Sequence, residues 1–119
     1  AITRDYLANG HEGLDGKPKS MLGKKDSFKG YAPGEIKIVA SSNRGNYGDL
    51  IDFTASGYSN ELIIRFAHSK LINSLTVGQN ITKGTAFFES TLTGSATGMH
   101  THIEVIYKGK LYDPNTIFK

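Results

Sequence analysis

Apolar residues along the chain recur with period two or in short β-branched runs, at Ile36–Val39, Leu50–Phe53, Leu62–Ala67, Ala86–Phe88 and Ile103–Tyr107. Alternation of this kind puts successive side chains on opposite faces of an extended segment, so these runs predict strands. Gly, Asn, Ser or Pro bounds each run, and Gly45, Gly48, Gly57, Gly84, Gly94, Gly98 and Gly109 fall in the gaps, as tight turns between antiparallel strands require. Long helices are not expected. Residues 16–34, rich in Gly, Lys and Ser with Pro18 and Pro33, predict a long surface loop of the functional or mobile kind. Near the end of the chain Asp113 precedes Pro114, an N-cap followed by proline at the first helical position, which predicts a single closing turn of helix. No internal repeat, linker or low-complexity segment interrupts the pattern.

A length of 119 residues is that of one domain, here 1–119, large enough for a single core. With 38% hydrophobic and 21% charged residues, the composition is that of a folded chain. Fourteen basic against eleven acidic residues give +3, a mild bias towards anionic surfaces. Lys24 and Lys25 are the only adjacent basic pair, and no Lys/Arg stripe interleaves with aromatics, so nucleic acid is not an expected partner. The longest apolar stretches are strand-sized, well short of the roughly 20 residues of a membrane span. The start, Ala1-Ile2-Thr3-Arg4, lacks a charged region followed by an apolar one, and the chain reads as a mature or excised domain. Cysteine is absent, which leaves His and carboxylates as the only strong metal ligands.

Four histidines carry the candidate chemistry: His11, His68, His100 and His102. His11 opens His11-Glu12-Gly13-Leu14-Asp15, and His100 opens His100-Thr101-His102-Ile103-Glu104 on a predicted strand. On that strand His100, His102 and Glu104 share a face with Cα atoms about 6–7 Å apart, so two imidazoles there can converge on one ion and its bound water. His11 and Asp15 would stand about 13 Å apart on a straight strand, too far to share a metal. Gly13 and Gly16 argue against a helix, and Gly13 permits a bend, so a kinked strand end or loop is expected. Two imidazole nitrogens and a carboxylate oxygen form the ligand set of a catalytic zinc, which keeps its fourth position for water. Such an ion lowers the pKa of that water towards about 7 and polarises a scissile carbonyl. A structural zinc would use four protein ligands, usually including cysteines. A lone histidine is ordinarily a surface or hydrogen-bonded residue, and His-x-His or His-x-x-x-Asp alone is a weak signal. Their joint occurrence in one small chain is what points to a metal.

Together these segments resemble the lysostaphin-type (LytM-like) zinc metalloendopeptidases. His11, Gly13 and Asp15 match that family's His-x-Gly-x-Asp, His100 to Glu104 match its His-x-His followed by a hydrophobic residue and Glu, and Phe66-Ala67-His68 matches an aromatic-x-His at a strand end. Weaker features follow in the family's order: Ala32 to Ile36, Asn46 to Ile51, Val77 to Gly84, and Thr93 to Gly98 before His100. The resemblance implies a mainly β fold, antiparallel sheets in a distorted sandwich with a zinc-bearing groove. It implies that His11, Asp15 and His102 hold Zn2+ and that His68 and His100 are catalytic, His100 as general base and His68 orienting the water or stabilising the oxyanion. Spacing alone does not separate His100 from His102. Glu104 is either a partner holding an imidazole in its tautomer or a core-edge carboxylate, and Tyr6 either a groove aromatic or a packing residue. Segment 16–31 exceeds the common family length and adds Lys17, Lys19, Lys24 and Lys25 near the site.

The implied activity is hydrolysis of amide bonds in peptidoglycan stem or cross-bridge peptides. It would belong to a monomeric domain of a larger wall-targeted or phage tail protein, working extracellularly, at the cell wall or on a virion. The rivals are a LytM-like regulatory or structural module without catalysis, a zinc carboxypeptidase or amidase on the same polymer, and a wall-binding module without chemistry.

Overall fold

In a computed structural model of the protein the described residues are 2–4, 13–22, 25–72, 74–94 and 99–116. The strands run in chain order as β1 (Ile2–Arg4), β2 (Leu14–Gly16), β3 (Lys29–Tyr31), β4 (Ile36–Arg44), β5 (Gly48–Ala55), β6 (Leu62–Ala67), β7 (Ser69–Leu71), β8 (Asn80–Ile81), β9 (Ala86–Ser90), β10 (Thr101–Tyr107) and β11 (Lys110–Tyr112). One antiparallel sheet has the order β1-β2-β10-β6-β5-β4-β8, with β11 also paired to β10; β3-β9-β7 form a second. The fold is mainly β, as the alternation predicts. Helical turns among the described residues are short 3-10 turns at Lys19–Met21, Gly45–Tyr47 and Pro114–Thr116. None of their helices is long and apolar enough to cross a membrane.

Strand parity decides which face of the large sheet is buried. Ile36 and Ile38 on β4, Ile51 and Phe53 on β5, and Ile64 and Phe66 on β6 join one core cluster with Phe28, Phe87 and Phe88 from the small sheet and its approach. Phe66 meets Phe53 edge-on at 5.1 Å and Phe88 at 5.2 Å between ring centroids, the orientation that aromatic quadrupoles favour. Burial of each such ring contributes about 1.5–3 kcal/mol. The intervening residues of the same strands, including Asp52 and Arg65, fall on the opposite face.

Residues 16–34 are less of a surface loop than their composition suggests. Phe28 and Ala32 are buried in the core, and Lys29–Tyr31 is a strand. Ser90 stitches the segment down: its Oγ accepts the Phe28 N–H at 2.8 Å, and its carbonyl accepts the Ser27 hydroxyl at 2.7 Å. Phe28 stands among lysines and glycines with no periodicity to announce its burial. The closing turn forms as expected, with Asp113 Oδ1 accepting the Asn115 N–H at 2.9 Å.

Candidate active site

The site is built on β10 and its two neighbours. In the register of the sheet His102 stands opposite Asp15 on β2 and opposite Ala67 on β6, while Glu104 stands opposite Arg65, which in turn faces Asp52 on β5. Directly opposed residues on neighbouring strands point to the same face. Asp15, His102, Glu104, Arg65 and Asp52 therefore form a polar patch on the face away from the aromatic core. A close approach makes this possible: a Cβ on Gly13 would lie 2.6 Å from His102 Cε1 and 2.6 Å from the Ile103 carbonyl oxygen. Because that carbonyl is backbone and cannot swing aside, Gly13→Ala is expected to cost about 1–3 kcal/mol as overpacking does, read as a fall in melting temperature.

His102 donates Nδ1–H to Asp15 Oδ1 at 2.9 Å and Nε2–H to Glu104 Oε2 at 2.9 Å. Both partners are acceptors only, so the metal-free ring is an imidazolium. Burial opposes that charge, but the hydrogen bonds to Asp15 and Glu104 outweigh it and push the pKa up to about 9. Unfolded, the ring loses its proton near 6.5. The extra stability of the metal-free protein is thus complete below about pH 6.5 and is lost as pH rises through about 9, on the order of 3 kcal/mol. Melting curves in chelator from about pH 6 to about pH 9.5 are expected to show this decline, and His102→Gln to flatten it.

Tyr47, at the end of the 3-10 turn before β5, donates its hydroxyl to Glu104 Oε1 at 3.1 Å. Burial first, and then the Glu104 charge, raise its pKa. Arg65 lies over the Tyr47 ring at 5.1 Å and donates two bonds to Asp52, at 2.8 and 2.9 Å. The Asp52 bonds, against the cost of burial, raise the pKa of the guanidinium still further.

His68 leaves the end of β6 in the left-handed region, with φ of 54°. A β-carbon makes that conformation costly, and such strain is held only where the surroundings over-determine it. Three bonds do so: the His68 N–H donates to the Tyr47 carbonyl at 3.0 Å, its carbonyl accepts the Thr91 N–H at 2.7 Å, and its Nδ1–H donates to the Thr93 carbonyl at 2.8 Å. The segments supplying those carbonyls pack together through glycine. Gly48 has φ of 62°, and a Cβ on it would lie 2.3 Å from the Thr93 carbonyl carbon. Burial above all lowers the His68 pKa, so the ring is neutral at pH 7 with its proton on Nδ1.

The expected site residues that are described come together. His100 Nε2 stands 3.5 Å from the same Asp15 oxygen that binds His102, and the His68 ring meets the His100 ring edge-on at 5.2 Å and the His102 ring at 6.3 Å between centroids. His11 and Tyr6 lie outside the described residues. Among the described residues no group of three or more His, Asp or Glu side chains is arranged to hold a metal ion. Asp15 and His102 are a donor pair of the right chemistry for zinc. Their facing atoms, His102 Nδ1 and Asp15 Oδ1, stand 2.9 Å apart. Glu104, undecided from sequence, is a direct partner of His102. The sequence marks Asp52 and Arg65 only as a lone charge inside each of the apolar runs Leu50–Phe53 and Leu62–Ala67, and does not mark Tyr47.

The fold of the chain is similar to that of the catalytic domain of the antimicrobial peptidase lysostaphin from Staphylococcus simulans, with a TM-score of 0.70 at 21% identity over 97% of this chain and 86% of that one. The chain has the fold of the lysostaphin catalytic domain. A zinc-containing peptidase from Vibrio cholerae shares the lysostaphin-type fold, with a TM-score of 0.68 at 22% identity over 95% of this chain and 35% of its own. So does a chain of the SpoIIIAH and SpoIIQ complex, with a TM-score of 0.68 at 15% identity over 97% of this chain and 76% of that one. No family model and no curated protein sequence matches the chain.

Proposed function

We propose that this domain is a zinc-dependent endopeptidase that hydrolyses amide bonds in peptidoglycan stem or cross-bridge peptides, acting outside the cytoplasm. The observation that carries the reading is the meeting of Asp15, His68, His100 and His102 on the polar face of a lysostaphin-type fold. His11, Asp15 and His102 would hold the metal, which when bound polarises the scissile carbonyl and acidifies water. His100, against Asp15 and His68, takes the proton of the attacking water and returns it to the leaving amine. His68, neutral and with Nδ1–H committed to Thr93, offers an Nε2 lone pair that accepts a hydrogen bond and orients the water. Donation to an oxyanion would need a proton on Nε2, which burial disfavours.

A second reading, a module that keeps the fold without hydrolysis, draws support from the match to a chain of the SpoIIIAH and SpoIIQ complex. The presence of all four described site residues weighs against it. Purified cell wall digested with the zinc-loaded domain and analysed by mass spectrometry separates the readings. Internal peptide cleavage is expected, lost on chelation and regained with zinc. Release of a terminal residue would make it a carboxypeptidase, release of the sugar from the stem peptide an amidase, and no product at full zinc occupancy a non-enzyme.

A further inference from the structure

We infer that Glu104 and Tyr47 are positioning residues that fix the tautomer of His102, keeping its Nε2 protonated and turning the Nδ1 lone pair towards Asp15 and the metal; this rests on the zinc reading above. A carboxylate only accepts, so the Glu104 Oε2 at 2.9 Å from Nε2 requires a proton on that nitrogen. A neutral imidazole carries one N–H, and the lone pair is then left on Nδ1. The opposite assignment would put the metal against a carboxylate already committed: Glu104 is 3% exposed, and its other oxygen accepts the Tyr47 hydroxyl at 3.1 Å. On the Nδ1 side stand Asp15 and, 3.5 Å from its oxygen, His100 Nε2.

The support continues outward. The Tyr47 ring lies under the Arg65 guanidinium, and Arg65 is locked by its two bonds to Asp52 on the neighbouring strand. A phenol on a turn would otherwise rotate; here the cation over its face and the carboxylate at its tip hold it. Tyr47 also supports the other half of the site, since its carbonyl accepts the His68 N–H. One residue thus braces a metal ligand through its side chain and a catalytic histidine through its main chain. Hydrogen-bond partners of ligating histidines raise ligand basicity and orient the ring, and their loss typically costs about 10–100-fold in metal affinity.

The test uses the whole chain, with zinc affinity read by competition against a chromophoric chelator and the His102 ring read by two-bond proton–nitrogen NMR of the zinc-loaded protein. Wild type is expected to show the proton on Nε2. Glu104→Gln should bind zinc about 10–100-fold more weakly. Tyr47→Phe should bind it several-fold more weakly, and the double variant no more weakly than Glu104→Gln, because Tyr47 acts through Glu104. Losses that multiply in the double variant, unchanged affinity in Tyr47→Phe and Glu104→Gln, or a wild-type proton on Nδ1 would each overturn the inference while leaving the zinc reading standing. Absence of zinc binding by wild type would remove the zinc reading and this inference with it. Should Glu104→Gln fail to fold, Tyr47→Phe, which loses a single oxygen, and the wild-type spectrum still decide.

Discussion

His102→Ala is expected to abolish stoichiometric zinc binding and to lower peptidoglycan hydrolysis by more than about 10⁴-fold, beyond what loss of a general base costs. Truncating the ring takes away a metal donor and also the cation between two buried carboxylates. Asp15 and Glu104, with side chains 10% and 4% exposed, each lose a bond of 2.9 Å. Breaking a buried ion pair on one side costs about 3–5 kcal/mol, so the metal-free variant should melt lower as well. His102→Gln separates the two effects. Its amide can donate to one of the carboxylates but supplies no imidazole, so zinc and activity should be lost with much of the stability kept. Metal analysis, turbidity loss of a wall suspension and a melting curve on each variant make the check. Zinc retained at one equivalent in His102→Gln would remove His102 from the ligand set.

Parity carried most of what the sequence could say. The alternation in Ile103–Tyr107 correctly divides β10 into a core face with Ile103 and Val105 and a polar face with His102 and Glu104. Each of the apolar runs forms a strand, but alternation fails where Phe87 and Phe88 are both buried on β9 and at the irregularity between Ile38 and Ala40 on β4; β2, β3, β7, β8 and β11 are two or three residues each and leave no period to detect. The convergence of Asp15 with His102 was unreadable from their spacing of 87 residues, because it depends on the β2–β10 register and on the missing side chain of Gly13. Family resemblance supplied that link, and resemblance again separated the roles of His100 and His102. Tyr47, Arg65 and Asp52 escaped for a different reason. Each looks ordinary in its own segment, and only the pairing of β10, β6 and β5 stacks them into one network.

His100→Ala is expected to lower turnover by about 10²–10⁴-fold while zinc stays bound, the span attributed to a general base. The two histidines of the pair are held differently. His102 lies inside β10, in register with Asp15, and its ring is held in place through Nε2 by Glu104 and faces Asp15 with Nδ1, as an oriented ligand needs to be. His100 lies one residue before the strand begins, and its Nε2 reaches the same Asp15 oxygen at 3.5 Å rather than 2.9 Å. A base has to approach and leave its proton within one turnover, and the looser contact beside the His68 ring suits that. Loss of zinc in His100→Ala would instead make this residue a ligand. Full zinc with unimpaired cleavage would move the base to His68, and His68→Ala, which leaves the Thr93 carbonyl without its ring donor, should then carry the larger loss.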